Sequence, residues 1–553
     1  MNRLVTLLSV AALGSTFLMR PLSAQPQPPQ LQPPPVPGAN PITVAKTNLG
    51  KTLFWEEQMS SSGTMACATC HSMAGGGADI RTAVSLNPGL DGVFNTPDDV
   101  HGSPGLIARN ANGTHERKAP FPLQNQVTRR KTPPVLMSAY PGVQFWDGRA
   151  TGNFTDPVTN QVVIQNGASL ETQAKAPAVN TEEMAHAGED WTGIAQRVGT
   201  VRPLALASNL PSSLETWIGG RSYPQLFLEA FGTPDVTPSR ILLAIATYER
   251  TLIPNQTPYD AFAAGNPGAM TQQEHRGFQL FTGPARCAVC HAPPTFAGPG
   301  FANIGVRPIA EDRGRAEVTN APQDQGAFKI QQLRNVAQRA PFFHNGGKAT
   351  LEEVVEFYSR AGDFHVNQDQ RIQPFQLLPG DRDAIVAFLR NALTDPRVTL
   401  GTGPFEHPTL ANEAGRYAKA YGVGTPGTDG FVPRFATDDP SYVGNNSYTI
   451  SLDRALGSKP AILVFDTAPG TGSLVWGNVQ IWIAGTTALT GIDAGLLRAG
   501  GAGVGWGSWS FKIPNNPALG GGAAYLQGFV MDPGAVYGVA ATGGLRVGFF
   551  GQR

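Results

Sequence analysis

The motif Cys-x-x-Cys-His occurs twice in the sequence, at residues 67–71 and 287–291, and carries its most specific chemistry. The two thiols of such a motif can add across the vinyl groups of a haem and hold it covalently. The adjacent histidine then lies below the ring and becomes an axial iron ligand. The two motifs use all four cysteines of the chain. The expected attachment residues are Cys67, Cys70 and His71 for one haem c, and Cys287, Cys290 and His291 for a second.

A Cys-x-x-Cys pair has other uses that must be weighed. It occurs in thioredoxin-like redox sites, as half of a zinc site and in disulfide hairpins. A thioredoxin-like pair does not need a histidine after both copies. A four-cysteine zinc site rarely joins two hairpins that lie about 220 residues apart. Two complete motifs without a spare cysteine therefore favour two attached haems.

Length and composition set the class of the protein. A chain of 553 residues predicts two to four domains. The formal net charge of zero gives no electrostatic reason to expect a nucleic-acid or anionic-membrane partner. Only 15% of the residues are charged and 65 are glycine, which is typical of loop-rich and β-rich extracellular proteins.

Residues 1–24 have the pattern of a signal peptide. Arg3 supplies the positive start, an apolar stretch covers residues 4–19, and Ser23 and Ala24 offer a cleavage site. The alternative is a retained membrane anchor, against which Arg20 and the proline-rich flank argue. No later segment has 18 uninterrupted apolar residues, so we expect no membrane span in the mature chain. The expected location is periplasmic or secreted, which agrees with haem attachment outside the cytoplasm.

The sequence predicts a multidomain protein with an internal repeat. Residues 50–54 (GKTLF) precede the first haem motif as residues 277–281 (GFQLF) precede the second, and residues 145–150 (FWDGRA) parallel 343–349 (FHNGGKA). A capping box of Thr350 and Glu353 opens a helix in the second copy. The predicted divisions are a proline-rich linker at 25–42, a mainly α cytochrome c-type domain at 43–212 with insertions at about 74–126 and 151–168, a second such domain at 213–400, and a C-terminal domain at 405–553.

The C-terminal segment alternates apolar and polar residues with period two. One example is the apolar series Tyr448, Ile450 and Leu452, and further series are separated by turns rich in glycine and proline. This pattern predicts an all-β sandwich. We see no catalytic cluster in it.

Residues 49–393, about 60% of the chain, resemble the bacterial di-haem cytochrome c peroxidase and MauG superfamily. The stretches that carry the resemblance occur in the family order. They are residues 49–54 (LGKTLF), both haem motifs, 145–150 (FWDGRA), 183–184 (EM), 333–337 (LRNVA) and 351–358 (LEEVVEFY).

The resemblance implies that the first haem is the peroxidatic one, with His71 on one face and an open position on the other. It places the distal acid at Glu183 and the distal amide at Gln173. Cleavage of the O–O bond of peroxide requires a proton moved from the near to the far oxygen, which a carboxylate can carry. An amide can position the peroxide by hydrogen bonding. The neighbouring Glu182 is the alternative acid.

The resemblance also implies that the haem on His291 is a six-coordinate electron relay. Its second ligand is methionine in peroxidases of the family and tyrosine in MauG-type members, and Tyr358 occupies the position here. A phenolate favours ferric over ferrous iron, whereas methionine raises the potential. A core tyrosine without a ligand role is the alternative. Trp146 matches the family tryptophan between the haems, and a packing role is its alternative.

One position departs from the family pattern. The resemblance implies a calcium ion between the domains, bound by an asparagine and by backbone carbonyls near Arg339 and Pro341. Lys131 stands at the asparagine position. An ammonium group cannot coordinate a metal but can replace its charge, so we expect the usual calcium site to be absent.

The sequence therefore predicts an exported di-haem peroxidase. It would reduce hydrogen peroxide to water with electrons from a small redox protein, a cytochrome c or a copper protein. One alternative is a MauG-like enzyme that uses the oxidising equivalents of peroxide on a protein or organic substrate. Another is a di-haem electron carrier without catalysis.

Overall fold

The computed structural model describes residues 28–475, 479–485 and 492–553. The predicted signal peptide at 1–24 and the start of the proline-rich linker lie outside these residues. Helices dominate the chain up to about residue 400, and strands dominate the rest. The prediction of a helical region followed by a β-rich region is confirmed. Within the described residues, no helix is both long and apolar enough to cross a bilayer.

The helices occupy the two haem-motif regions. The α-helices are α1 (Val44–Phe54), α2 (Cys67–Cys70), α3 (Ser169–Ala174), α4 (Trp191–Thr200), α5 (Ser212–Ile218), α6 (Tyr223–Phe231), α7 (Pro238–Glu249), α8 (Pro258–Ala263), α9 (Gln272–Thr282), α10 (Ala316–Thr319), α11 (Leu351–Ser359), α12 (Asp381–Ala387) and α13 (Pro396–Leu400). The expected capping box opens α11, where the Thr350 hydroxyl accepts from the backbone N–H of Glu353 at 3.2 Å.

The helical region contains short pairs of strands, and the C-terminal region consists mainly of longer strands. The strands are β1 (Leu86–Asn87), β2 (Val100–His101), β3 (Pro104–Ile107), β4 (Asn125–Val127), β5 (Phe154–Thr155), β6 (Val162–Ile164), β7 (Phe301–Ala302), β8 (Phe328–Lys329), β9 (Lys419–Tyr421), β10 (Arg434–Ala436), β11 (Tyr448–Ala455), β12 (Pro460–Asp466), β13 (Pro469–Val475), β14 (Val479–Ile483), β15 (Ile492–Leu496), β16 (Gly505–Phe511), β17 (Ala523–Met531), β18 (Val539–Ala541) and β19 (Gly544–Gly548).

The first apolar core is organised by the crossing of α1 and α7. Gly50 of α1 lies so close to α7 that a β-carbon on it would fall 1.9 Å from the carbonyl oxygen of Ala244. Only glycine permits this approach of two backbones. The helices α4 to α6 complete the core, so the side chains of Leu214, Tyr223 and Ile245 share it with the residues around the first haem motif.

The second core repeats this arrangement with α9 and α12. A β-carbon on Gly277 would fall 2.0 Å from the carbonyl oxygen of Ala384. Gly50 and Gly277 are equivalent in the sequence repeat, so the same close crossing occurs once in each half. The other repeated stretch forms the same turn twice, with Phe145 at φ +65° and Phe343 at φ +72°. The internal repeat is confirmed as a structural repeat.

The described part of the C-terminal region has two larger antiparallel sheets and a separate two-stranded sheet of β13 and β14. One has the strand order β15-β12-β17-β19-β9, with β18 paired to β17, and the other has the order β10-β11-β16. Alternate side chains of both sheets meet in one apolar core, as the period-two pattern predicts. Its members include Ile450, Leu452, Leu463, Trp509, Val530 and Val547.

A buried ion pair ties α3 to the end of α7. The two terminal guanidinium nitrogens of Arg250 donate to the carboxylate oxygens of Glu171 at 2.8 Å, and the two side chains are 2% and 0% exposed. Replacing Arg250 by Met would leave this carboxylate buried without its cation. We expect the free energy of unfolding to fall by about 3–5 kcal/mol, measured by urea denaturation with far-UV circular dichroism.

The matched control is Arg390→Met. Arg390 pairs with Glu352 on the surface, where the side chains are 51% and 34% exposed. Removing that pair should cost less than about 1 kcal/mol. Equal losses in the two variants would contradict the structural role assigned to the buried pair.

Candidate functional site

Each Cys-x-x-Cys-His motif lines its own cavity. Cys67, Cys70 and His71 line a cavity of about 410 Å³, the His71 cavity. The second motif lines a cavity of about 220 Å³, the His291 cavity, whose walls are mostly apolar. The structure pairs none of the four cysteines in a disulfide. Burial raises the pKa of Cys67 and of Cys287 to about 12, whereas a thioredoxin-like pair needs a lowered thiol pKa.

Both histidines are oriented in the same way. His71 Nδ1 donates to the carbonyl oxygen of Gly77 at 3.2 Å, and His291 Nδ1 donates to that of Phe296 at 3.3 Å. These bonds fix the tautomer and leave Nε2 as the free lone pair, which is the usual arrangement for a metal-ligating histidine. Burial lowers the pKa of His291 to about 4 and lowers that of His71 as well. Both rings are therefore neutral and able to act as ligands.

The sequence-predicted acid and amide line the His71 cavity. Gln173 lies in the last turn of α3, and Glu183 lies in an irregular turn that follows it. Burial raises the pKa of Glu183 to about 7, although the charge of Arg149 opposes the shift. The side-chain amide of Asn180 donates to Glu183 Oε1 at 3.2 Å. A carboxyl group with this pKa can both accept and release a proton near neutral pH. Glu182 lines the same cavity.

A further acid in the His71 cavity was missed by the sequence reasoning. Glu249, the last residue of α7, is 4% exposed and lines this cavity. Within the described chain its Oε2 atom has no hydrogen-bond partner, and burial raises its pKa to about 8. The signal that could have revealed it is an acidic residue on the buried face of an apolar helix.

Tyr358 lines the His291 cavity together with Leu351, Val354 and Val355, which share its face of α11. This matches the face expected from the spacing. Burial holds the pKa of the Tyr358 phenol above its ordinary value, and the nearby thiols of Cys287 and Cys290 raise it further. Its ring packs edge-on against Phe343 and Phe357. The phenol is thus in the cavity of the second haem motif and not in a closed core.

Trp146 lies between the two cavities and lines both of them. Its indole Nε1 donates to the carbonyl oxygen of Lys131 at 2.7 Å, and its ring meets His344 edge-on at 6.1 Å. The ring is therefore held in place by both halves of the repeat.

Three buried cations line the His291 cavity: Lys131, Lys329 and Arg339, which are 4%, 7% and 7% exposed. Within the described ranges, they donate to neutral oxygen atoms alone, such as the Val143 carbonyl and the Gln144 amide for Lys329. Burial lowers their pKa values to about 7, 8 and 9, respectively. Buried cations require an anionic partner. A haem carries two propionates, so this set of residues fits a haem at the site.

Lys131 occupies the position where the family resemblance implies calcium. Its Nζ donates to the carbonyl oxygens of Arg339 and Pro341, the two carbonyls expected to bind the metal. No group of three or more metal-binding side chains occurs within the described ranges. The ammonium thus contacts the oxygens that a cation would otherwise bind.

We expect chelation of calcium to leave the melting temperature of the holoprotein unchanged, because Lys131 supplies the cation. Lys131→Asn would remove the charge and add an amide oxygen. This variant should be stabilised by added calcium, by up to about 2.7 kcal/mol at one hundred times the dissociation constant. Thermal unfolding with and without calcium measures both effects. The exposed Lys419→Asn is the control, and a chelator that lowers the wild-type melting temperature would contradict the expectation.

The two motifs differ in their access to solvent. Ala68 and Thr69, inside the first motif, are 1% and 6% exposed, whereas Val289, inside the second, is 52% exposed. The first motif is therefore enclosed, and the second reaches the surface of the protein.

Comparison with known proteins agrees with this geometry. Residues 44–268 match the family model described as di-haem cytochrome c peroxidase. The methylamine utilization protein MauG of Methylorubrum extorquens is 29% identical over 366 residues, which cover 66% of this chain and 82% of the relative. Cytochrome c551 peroxidase of Nitrosomonas europaea is 29% identical over 386 residues, which cover 68% of this chain and 91% of the relative.

A solved structure shares the fold of the helical region. The crystal structure of a MauG-like protein associated with microbial copper homeostasis has a TM-score of 0.50 at 24% identity, and covers 68% of this chain and 97% of that protein. The family match, the order of the motifs and the two cavities agree. The helical region of this chain is therefore similar to proteins of the di-haem cytochrome c peroxidase and MauG family.

Proposed function

We propose that the protein is an exported di-haem c-type peroxidase that reduces hydrogen peroxide to water with electrons from a small redox protein. The observation that supports this most is the convergence of Gln173, Glu183 and the first haem motif on one cavity. Haem c, attached through Cys67 and Cys70 with His71 as ligand, would supply an iron that binds peroxide and delivers electrons to it.

The protein's own residues would handle the protons. The carboxylate of Glu183 would take a proton from one oxygen of hydrogen peroxide and return it to the other, which leaves as water when the O–O bond breaks. Two electrons from the redox partner and two protons from solvent would convert the remaining oxygen to a second water. A pKa near 7 suits both steps. Gln173 holds the peroxide through its side-chain amide. Asn180, which donates to Glu183 Oε1, keeps this carboxyl from turning away.

The second motif is the proposed point of electron uptake. Its exposed Val289 gives a redox partner access to this end of the molecule, whereas the first motif is enclosed. Trp146, which lines both cavities, is the proposed relay between them. Cys287, Cys290 and His291 would hold the second haem c.

A MauG-like oxidation of a protein or organic substrate is the second candidate. The position of Tyr358 in the His291 cavity favours it. A phenolate ligand stabilises ferric iron, so this site would store oxidising equivalents better than it would hold an electron.

We also propose a revised division of the chain. Because α5 to α7 pack in the first core, the boundary between the two haem units is placed near residue 252 and not at 212–213. The second unit then ends near residue 393, because Val398 of α13 packs in the first core, and the sheets within 405–553 form an accessory β-sandwich. Among the residues that the structure describes, none of the accessory region lines either cavity.

Two measurements on the purified protein test the proposal. A pyridine haemochrome assay should give two haem c per chain. Stopped-flow mixing of the as-isolated and the half-reduced protein with hydrogen peroxide should change the Soret band. An unchanged band in both states would leave an electron carrier as the surviving function, and a haem-free protein would end all three haem hypotheses.

A further inference from the structure

The turn that carries Glu183 has little regular structure of its own. It follows α3 and a short 3₁₀ turn. The Asn180 carbonyl oxygen accepts from the N–H groups of Glu183, Met184 and Ala185 at 3.0–3.1 Å, and the N–H of Ser61 donates to the Met184 carbonyl oxygen at 3.0 Å. A turn of this kind owes its position to the segments packed around it.

One of these segments is the hairpin of β3 and β4, which belongs to the first predicted insertion. The side-chain amide of Gln126 donates to the carbonyl oxygen of Thr181 at 2.6 Å. Gly105 packs so closely that a β-carbon on it would fall 2.1 Å from the carbonyl oxygen of Glu182 and 2.6 Å from that of Glu183. The hairpin therefore packs directly against the backbone of Glu182 and Glu183.

The hairpin, in turn, is held by the C-terminal β region. His115 is completely buried, and its ring nitrogens lie 2.9 Å from Ser451 Oγ and from a carboxylate oxygen of Asp438. Arg117 Nε donates at 3.0 Å to Asp453, which is also completely buried.

Further contacts tie the same two parts together. The backbone N–H of Ile107 donates to Asp438 at 2.8 Å, and Arg109 donates to Asp439. Ile107, Leu123 and Trp506 form a small apolar cluster across the boundary. Buried charges that are paired across a boundary fix the register of the two parts.

We propose that the C-terminal β region is a positioning element of the His71 cavity, acting on Glu183 through the hairpin of β3 and β4. His115 and Arg117 are the positioning residues, and they contact neither cavity. The proposal that the β region positions the turn of Glu183 does not depend on which reaction the protein catalyses. Its effect on the reaction with peroxide rests on the proposed function.

Two variants of the full-length holoprotein test this from opposite sides. Arg117→Gln loosens the hairpin from the β region. Gly105→Ala pushes directly on the Glu182 and Glu183 carbonyls, and the φ of Gly105 is not in the left-handed region, so the effect is steric. Gly142→Ala is the matched control, because a β-carbon there meets nothing within 4 Å.

The first readout is amide hydrogen exchange followed by mass spectrometry. In both test variants, exchange of the peptide that covers residues 181–186 should speed up about tenfold, equivalent to about 1.4 kcal/mol of local opening. The control should match the wild type. Unchanged exchange at 181–186 in Arg117→Gln would overturn the proposal, whether or not the peptides at 104–127 change.

The second readout is the electron paramagnetic resonance signal of each ferric haem, which does not depend on turnover. The signal of the His71 haem should shift in both test variants, while that of the His291 haem stays constant. Equal disturbance of both signals would point to general destabilisation and overturn the proposal. A wild-type protein that does not react with peroxide would refute the proposed function. The hydrogen-exchange measurement would then still decide whether the β region positions the turn of Glu183.

Discussion

Replacing Glu183 by Gln is expected to slow the reaction of the protein with hydrogen peroxide by about 10²–10⁴-fold, the usual contribution of a positioned acid–base group. The amide keeps the size of the side chain but cannot carry a proton. The rate constant should be measured by stopped-flow absorbance under single-turnover conditions, so that electron delivery does not limit it.

Glu182→Gln is the matched control for this prediction. Both acids line the His71 cavity, but only Glu183 is assigned the proton transfer, so the control should retain most of the wild-type rate. The reverse result, a large loss in Glu182→Gln and a small one in Glu183→Gln, would move the role to the neighbour.

The pH dependence of the same rate follows from the raised pKa of Glu183, about 7. The carboxylate accepts the first proton, and its population falls as the pH drops through 7. The wild-type rate should therefore decline on the acid side and level off above about pH 8. The inflection should disappear in Glu183→Gln, since the amide does not titrate in this range.

If the Tyr358 phenolate is an iron ligand, replacing Tyr358 by Phe is expected to change the spin state and the reduction potential of the His291 haem. The low-spin signal of the His291 haem would give way to a high-spin signal. Its reduction potential would rise by on the order of 0.1 V, a part of the roughly 0.8 V that axial ligands span. Electron paramagnetic resonance and a spectroscopic redox titration measure the two effects.

Tyr259→Phe is the matched control for the Tyr358 variant. Tyr259 is completely buried in the second apolar core, but it does not line the His291 cavity. Its replacement should leave both spectra unchanged. Spectra of Tyr358→Phe that equal those of the wild type would exclude phenolate ligation and, with it, the MauG-like alternative.

The sequence predicted best those features that depend on reactive residue types at short, fixed spacings. The haem motifs, the capping box of α11 and the shared face of Leu351, Val354 and Tyr358 are all local patterns, and the structure has them. The sequence repeat showed that Gly50 and Gly277 occupy equivalent positions. The reason for glycine there, a close helix crossing in each half, could be recognised only in the three-dimensional structure.

The sequence was least informative where distant segments meet. Glu249 lines the His71 cavity because α7 crosses α1. No sequence pattern near Glu249 predicts this position. The salt bridge of Arg117 and Asp453 joins residues 336 positions apart. Likewise, the first core takes in α5 to α7 because of how helices pack, which no local pattern states.

The ammonium of Lys131 has a consequence for how the protein is assembled. A metal ion must be captured from the surroundings and can be lost to dilution or to a competitor, whereas a lysine is made with the chain. Its contact with the Arg339 carbonyl closes a loop of 208 residues as soon as the two segments meet. The segments around Lys131 and Arg339 would then stay joined in surroundings poor in calcium.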